Sequence, residues 1–201
     1  MRGGDDMKRS LLTAIIVFSV VIGGFALPDI GHAKDNQNAV TFGGVANIVG
    51  SVILVEYERV VADKVSIAAR LGNFSYEVEY DEGVGTTTES GDGPGAEGVF
   101  RFYPGGGLNG FYIGGALGVW SVDWDWEWKA TGYATEKGSG SSTTVDLNFT
   151  LGGKINLGSD RVYIDPSFTV GNFFAETHGK TGESDEIGLY AAIGLGIGIT
   201  F

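Results

Sequence analysis

Beyond residue 33 the chain holds one histidine, His178, in the polar stretch "ETHGKTGESDE". A histidine among carboxylates and hydroxyls is the raw material of nucleophilic catalysis, and Glu176, Glu183 or Glu186 and Ser184 supply both kinds of partner. A nucleophile and its base must approach to about 3 Å, which spacing alone does not establish. A solvated loop histidine is the plainer reading. Cysteine is absent, which removes disulfides, thiolate metal sites and cysteine nucleophiles. The glycine runs "GDGPGAEG" and "GGG" lack the helix and lysine of a phosphate cradle. The carboxylates Asp81, Glu82, Glu89, Asp92, Glu183, Asp185 and Glu186 are too irregular for a calcium loop and read as a solvated acidic rim. No catalytic, cofactor or metal site is expected, and the chain reads as non-enzymatic.

A second constellation is more regular. In "SVILVEYERV", Ile53, Val55 and Tyr57 alternate with Glu56 and Glu58; in "KVSIAARL", Val65, Ile67, Ala69 and Leu71 alternate with Ser66, Ala68 and Arg70. The same period of two sets Asp146 and Lys154 against Val145, Leu147, Phe149, Leu151 and Ile155, and sets Asp165 against Val162, Ile164 and Phe168. Strands that are apolar on one face and charged on the other fit a closed barrel whose charges point inward. Glu56, Glu58, Arg70, Asp146, Lys154, Asp165 and Arg101 are therefore lumen candidates. Buried charges must be paired or cost several kcal/mol each. A structural ion-pair plug follows, with a proton or ion path as the alternative.

The elements that must position these residues are strands. Thirty-five glycines, four prolines and 12% aromatics point to many strands and turns in one domain. Residues 1–33 read as a cleaved secretory leader: Lys8 and Arg9 precede the apolar run from Leu11 to Leu27, and Gly31 and Ala33 suit a cleavage site. The true start is then Met7 or Met1, and an uncleaved anchor helix is the alternative. Loss of 1–33 removes three bases (Arg2, Lys8, Arg9) and three acids (Asp5, Asp6, Asp29), leaving the net charge of -12 and no basic cluster for nucleic acid. Strands are expected at about 51–60, 64–80, 96–104, 109–129, 143–157, 161–176 and 187–201. An eighth is expected near "NAVTFGGVANIVG", because an even number returns both ends to one side. Short connections ("VADK", "PGGGLN", "GSD") alternate with long polar ones ("DEGVGTTTESGDGPG", "TGYATEKGSGSS", "THGKTGESDE"). The last strand sets Leu189, Ile193, Leu195, Ile197 and Ile199 against nearly bare glycine. The fold class is an all-β, eight-stranded, antiparallel, up-and-down transmembrane barrel spanning 34–201, with a soluble β-sandwich as alternative.

All four tryptophans, Trp120, Trp124, Trp126 and Trp128, share one face of "WSVDWDWEW". Tryptophan marks membrane interfaces. At about 2.5 Å of climb per residue in a tilted strand, Trp120 and Trp124 are expected in the outer aromatic girdle. Trp126 and Trp128 are expected some 15–20 Å higher, among lipopolysaccharide sugars, on a hairpin of about 120–146 that stands beyond the membrane. Tyr112 and Phe201 join these as expected interface or surface aromatics.

The segments "VEYERVVADKVSIAARLG", "GVFRFYPGGGLNGFYIGGALG" and "GLYAAIGLGIGITF" resemble small bacterial outer-membrane barrels, of the uncharacterised DUF3575-type and OmpA/OmpX-type families. The resemblance covers most of 50–201 and marks turns and architecture, not chemistry. It implies outer-membrane location, contact with outer-membrane lipid and lipopolysaccharide, recognition of the terminal strand ending in Phe201 by the barrel assembly machinery, and a monomer with a structural or cell-surface role. Barrels that deacylate lipid A use histidine, serine and glutamate, but their serine follows the histidine by two positions, where this chain has Lys180. That enzyme, and a narrow pore or hydrophobic-ligand carrier, are the alternative functions.

Overall fold

The structure, a computed structural model, describes residues 37–47, 50–81, 83–158, 161–179 and 182–201, with the backbone alone for 175–179 and 182–187. The expected leader at 1–33 lies outside the described residues. Eight strands follow in order: β1 (Asn38–Ala46), β2 (Gly50–Ala62), β3 (Val65–Asp81), β4 (Thr86–Phe102), β5 (Gly110–Lys129), β6 (Glu136–Asn156), β7 (Val162–Gly179) and β8 (Gly182–Thr200). Each pairs antiparallel with the next, and β1 closes on β8 to complete the barrel. At the seam the Asn38 N–H donates to the Phe201 carbonyl at 3.1 Å, and the Phe201 N–H returns a bond to Asn38 at 2.9 Å. Closure leaves no edge along the shared length of the strands.

The β2–β3, β4–β5 and β6–β7 connections lie at one end. Between β4 and β5 the chain reverses through Gly106, Gly107 and Gly110 at φ of 78°, 71° and 82°, a conformation only glycine adopts cheaply. The Gly107 N–H donates to the Asp63 carbonyl at 3.1 Å, tying this turn to the neighbouring β2–β3 turn. The first strand occupies the stretch where parity of strand number demanded one.

The other end differs from expectation. The three stretches read as long polar loops are mostly paired strand: β4 begins at Thr86, β6 at Glu136, and the β7–β8 ladder runs up to Gly179↔Gly182. Glycine and proline in "GDGPGAEG" carried the loop reading. Pro94 has no N–H to give, so the β4–β5 pairing skips from Asp92↔Asp123 to Gly95↔Trp120 while the β3 side continues through Asn73↔Pro94. The strand survives because only one of its two ladders is interrupted.

Polarity reverses along the strands. On β5 the outward row runs Phe111, Ile113, Leu117, Val119 and then Ser121, Asp123, Asp125; on β3 it runs Ile67, Ala69, Leu71 and then Asn73, Ser75, Glu77, Glu79. Leu71, Ala96, Val119 and Val145 pair in succession across β3 to β6 and form the last apolar row. Below it, Phe42, Phe100, Leu117, Phe149, Ile193 and Ile197 stand exposed, an apolar belt far larger than a water-soluble surface tolerates. From Phe111 to Val119 the belt is about 20 Å tall at ~2.5 Å per residue, a membrane-spanning height. Among the described residues no helix is long and apolar enough to cross a membrane. The strands do the crossing.

Candidate functional site

Within the belt the barrel interior is filled by a charged network. Arg101, on β4, donates through Nη1 to Glu56 Oε1 (2.6 Å) and Glu58 Oε2 (2.7 Å), and through Nη2 to Glu56 Oε2 (2.7 Å). Arg70 joins from β3, giving Nε to Glu56 at 2.6 Å and Nη1 to Glu97 at 3.1 Å. Lys154, from β6 across the lumen, donates to Glu58 and to the Tyr163 hydroxyl. Glu58 also accepts from Ser66 and from the Tyr103 hydroxyl. Tyr112 donates to Asp165 at 2.8 Å, and its ring lies 4.6 Å beneath the Arg101 guanidinium. Higher up, Asp146 accepts from Asn148 and Tyr190 at 2.7 and 2.9 Å. All seven charged residues expected in the lumen point inward.

The network answers the desolvation problem by saturation. Each cation meets at least one carboxylate, and tyrosine hydroxyls take further oxygens, so the attraction available in a dry interior is realised. Among the described residues, only Arg101 Nε and Asn148 Oδ1 are buried side-chain atoms without a partner. Glycine makes room: a Cβ at Gly152 would strike the Tyr112 ring, and one at Gly198 would strike the Tyr163 hydroxyl. The glycine face of β8 is thus taken up by Tyr163, Thr41 and Ser167 and leaves no open groove there.

Sequence reasoning missed Glu97, Tyr103 and Tyr112 as members. Glu97 falls inside the strand expected at 96–104, but between Gly95 and Gly98, where no alternation marks its face. Tyr103 carried a usable signal, because counting by twos from Arg101 puts it on the inner face.

The tryptophan ladder faces the other way from expectation. Trp120 is 8% exposed and points inward with Val122, and Trp124, Trp126 and Trp128 continue on that inner face. The girdle reading of Trp120 and Trp124 is therefore corrected. Tyr112, read as an interface aromatic, is 1% exposed inside the barrel and is corrected likewise. The cause is parity: Phe111, Ile113, Leu117 and Val119 hold the outer face, which leaves even-numbered residues of β5 to the interior. Only Phe201 stands outward, 56% exposed, at the turn end.

Above the last apolar row the barrel is built like a soluble protein, with an apolar interior and a polar exterior. Phe74, Tyr76 and Val78 of β3 face inward with the tryptophans, while Glu77, Glu79, Asp123 and Asp125 face out. Glycines seat the indoles: a Cβ at Gly95 would strike the Trp120 ring, and Gly138 lies under Trp126. The strands β5 and β6 stay paired up to Trp128↔Glu136, where Glu127 takes Lys129 and Lys137 at 2.5 and 2.6 Å. Those two hydrogen bonds, Lys129 first, hold the exposed Glu127 carboxyl below the usual glutamate range.

The backbone register sets His178 opposite Glu183 on β8 and opposite Ser141 on β6. Ser184 pairs with Thr177 instead, one position away. Glu82 and Lys180 lie outside the described residues. Among those described, no group of three or more histidine, cysteine, aspartate or glutamate side chains is placed to hold a metal ion.

No protein-family model matches the chain, and no curated protein matches it. Solved structures of similar architecture exist. The N-terminal β-barrel domain of Pseudomonas aeruginosa OprF is 12% identical over 84% of this chain and 100% of that one, with a TM-score of 0.38. Acinetobacter baumannii CarO is 11% identical over 83% and 98%, with a TM-score of 0.47. A major outer membrane protein from Thermus thermophilus is 13% identical over 85% and 100%, also at 0.47. Likenesses this distant say nothing about what this chain does.

Proposed function

We propose that this chain is an integral outer-membrane protein with a sealed lumen, whose role is to hold a β-structured extension at the cell surface for contact with other molecules. The carrying observation is the reversal of polarity at the row Leu71, Ala96, Val119 and Val145: lipid-facing below, water-facing above. The plug built on Arg101, Glu58, Lys154, Tyr103, Tyr112 and Tyr163, all nearly devoid of solvent contact, supports a barrel that conducts nothing. Outer-membrane lipid and lipopolysaccharide surround it, Phe201 ends the strand offered to the assembly machinery, and it works as a monomer without enzymatic activity.

Planar-bilayer recording of the purified protein tests the sealed lumen. Baseline current is expected, and discrete conductance steps overturn it. Fractionation with protease added to intact cells tests the topology: cleavage within 82–86 or 130–135, leaving a membrane-protected core, is expected. Recovery of the whole protein in an aqueous extract refutes it. The non-enzymatic part is tested by His178→Asn, which is expected to leave lipid A acylation unchanged.

A further inference from the structure

The charges inside the lumen do not balance. Glu56, Glu58, Glu97, Asp146 and Asp165 stand against Arg70, Arg101 and Lys154, five carboxylates to three cations. Asp146 is in no ion pair among the described residues, and its oxygens accept from the Asn148 amide and the Tyr190 hydroxyl. The Glu97 carboxyl comes within hydrogen-bonding reach of the same group. Two carboxylates so close in a dry interior repel unless something positive lies between them.

Glycine brings these groups together. Glu97 on β4 and Asp146 on β6 flank Gly118 on β5, and Asn148 on β6 and Tyr190 on β8 flank Gly171 on β7. With no side chain on the middle strand, each pair leans over its glycine. A Cβ at Gly118 would strike Glu97 Cγ at 2.8 Å, and one at Gly171 would meet Asn148 Cβ and the Tyr190 ring at 2.8 Å. Four oxygen-bearing side chains thus converge just inside the last apolar row, and one of their oxygens is orphaned. Asn148 is 7% exposed and is anchored through Nδ2 on Asp146 Oδ2 at 2.7 Å, so Oδ1 of the same planar amide lies beside that carboxylate, yet it accepts no hydrogen bond. A buried carbonyl oxygen needs a donor or a cation. The carboxylates beside it are acceptors, and the Tyr190 hydroxyl already gives its proton to Asp146 at 2.9 Å.

We propose that Glu97, Asp146 and Asn148, with the Tyr190 oxygen, form a site for one calcium-like hard divalent cation. Carboxylate, amide and hydroxyl oxygens are a hard-cation donor set, and calcium accepts irregular oxygen geometry where magnesium demands an octahedron. Two positive charges offset the surplus of two carboxylates, five less three. A proton shared by the two carboxyls is the competing occupant, but it leaves Asn148 Oδ1 unmet. Entry is from the extension's side: Tyr190 is half-buried and lies above Ile193, where the β1–β8 ladder has ended. Bound there, the cation ties β4, β6 and β8 together beneath Trp120 and stiffens the base of the extension.

The test uses the full barrel in nanodiscs of zwitterionic lipid, stripped with chelator, and calcium chloride as the probe. Calcium is expected to bind saturably and to raise the urea midpoint, whereas sodium chloride at equal ionic strength does not. Terbium, a hard ion that substitutes for calcium, is expected to emit on excitation of tryptophan and to be displaced by calcium, since Trp120 Nε1 stands 3.2 Å from where a Gly118 Cβ would lie. Asp146→Asn and Asn148→Leu are each expected to weaken calcium binding at least about tenfold and to abolish the midpoint shift. Asn148→Leu keeps both carboxylates, so it separates a cation cage from mere negative charge. Asp92→Asn/Asp123→Asn, which alters exposed carboxylates of the extension's outer face, is expected to change neither readout. The proposal is overturned by a parent protein that shows no calcium-dependent shift or no terbium emission, whether or not the variants fold. Full binding retained in a folded Asp146→Asn or Asn148→Leu, or equal loss in Asp92→Asn/Asp123→Asn, overturns it as well. Calcium indifference with a proton taken up by the pair assigns the site to the proton, and the sealed barrel stands in every case.

Discussion

Arg101→Met is the most telling single perturbation of the lumen. The substitution deletes three hydrogen bonds of 2.6, 2.7 and 2.7 Å to Glu56 and Glu58 while filling much of the same space. Removing one partner of a buried ion pair costs about 3–5 kcal/mol. Glu56 retains Arg70, and Glu58 retains Lys154, Ser66 and Tyr103, which places the expected loss near the lower end, about 3 kcal/mol. Charge count sharpens this. Among the directly ion-paired groups, Glu56, Glu58 and Glu97 balance Arg70, Arg101 and Lys154 three to three, so the variant takes one cation from a lumen that also holds the Asp146 and Asp165 side chains. Adding Glu56→Gln to Arg101→Met restores the balance. The assay is reversible urea unfolding in phospholipid vesicles, followed by tryptophan fluorescence, for the two single variants and the double. A coupling energy of at least about 1 kcal/mol is expected. A loss below about 1 kcal/mol for Arg101→Met, or strictly additive singles, would refute the reasoning that pairing in the lumen holds these charges.

Further expectations concern the extension. Gly95→Val drives a side chain into the Trp120 ring, so a loss of about 1–3 kcal/mol and a red-shifted emission are expected in the same unfolding assay. Single-tryptophan variants keeping Trp124 or Trp126 are expected to resist quenching by lipids brominated along the acyl chain, because these indoles face the interior above the belt; strong quenching returns them to the lipid girdle. The Glu127 carboxyl is expected to titrate by NMR below the usual glutamate range, since Lys129 and Lys137 donate to it. With its folded value lowered, its contribution is in place at neutral pH and is lost as the pH falls through that value. Lys129→Ala/Lys137→Ala is expected to bring the midpoint back up.

The barrel was legible in the chain because alternation is a local property. Ile53, Glu56, Leu147 and Lys154 announce period two within a few residues of themselves, and the closing strand does so most plainly. Which face is inner is a matter of phase, and in β5 the phase is set by Phe111 to Leu117, earlier in the strand than the tryptophans it governs. Taken by itself, the indole ladder suits a lipid interface; counted from Phe111, it belongs inside. The extended hairpins were hidden for a different reason. Glycine at positions 91, 95 and 138 is ordinarily punctuation, and its use as a seat for aromatic rings shows only when the neighbouring strand lies beside it. The partners within the plug, such as Arg101 reaching Glu58 and Lys154 reaching the same carboxylate, are separated along the chain and depend on strand register.

The reversal of polarity also fixes how deep the molecule sits. If the barrel sank by one pair of residues, the row holding Asn73 and Ser121 would enter hydrocarbon, and a further step would bring in Asp123; a charge on the lipid face is resisted more strongly the deeper it goes. If it rose instead, the apolar row from Leu71 to Val145 would meet water. The strands β3 to β6 change character along one row of paired residues, so drift in either direction is opposed. The wall of the barrel works as a float line, and the height at which the extension is displayed is written into the strands that cross the bilayer.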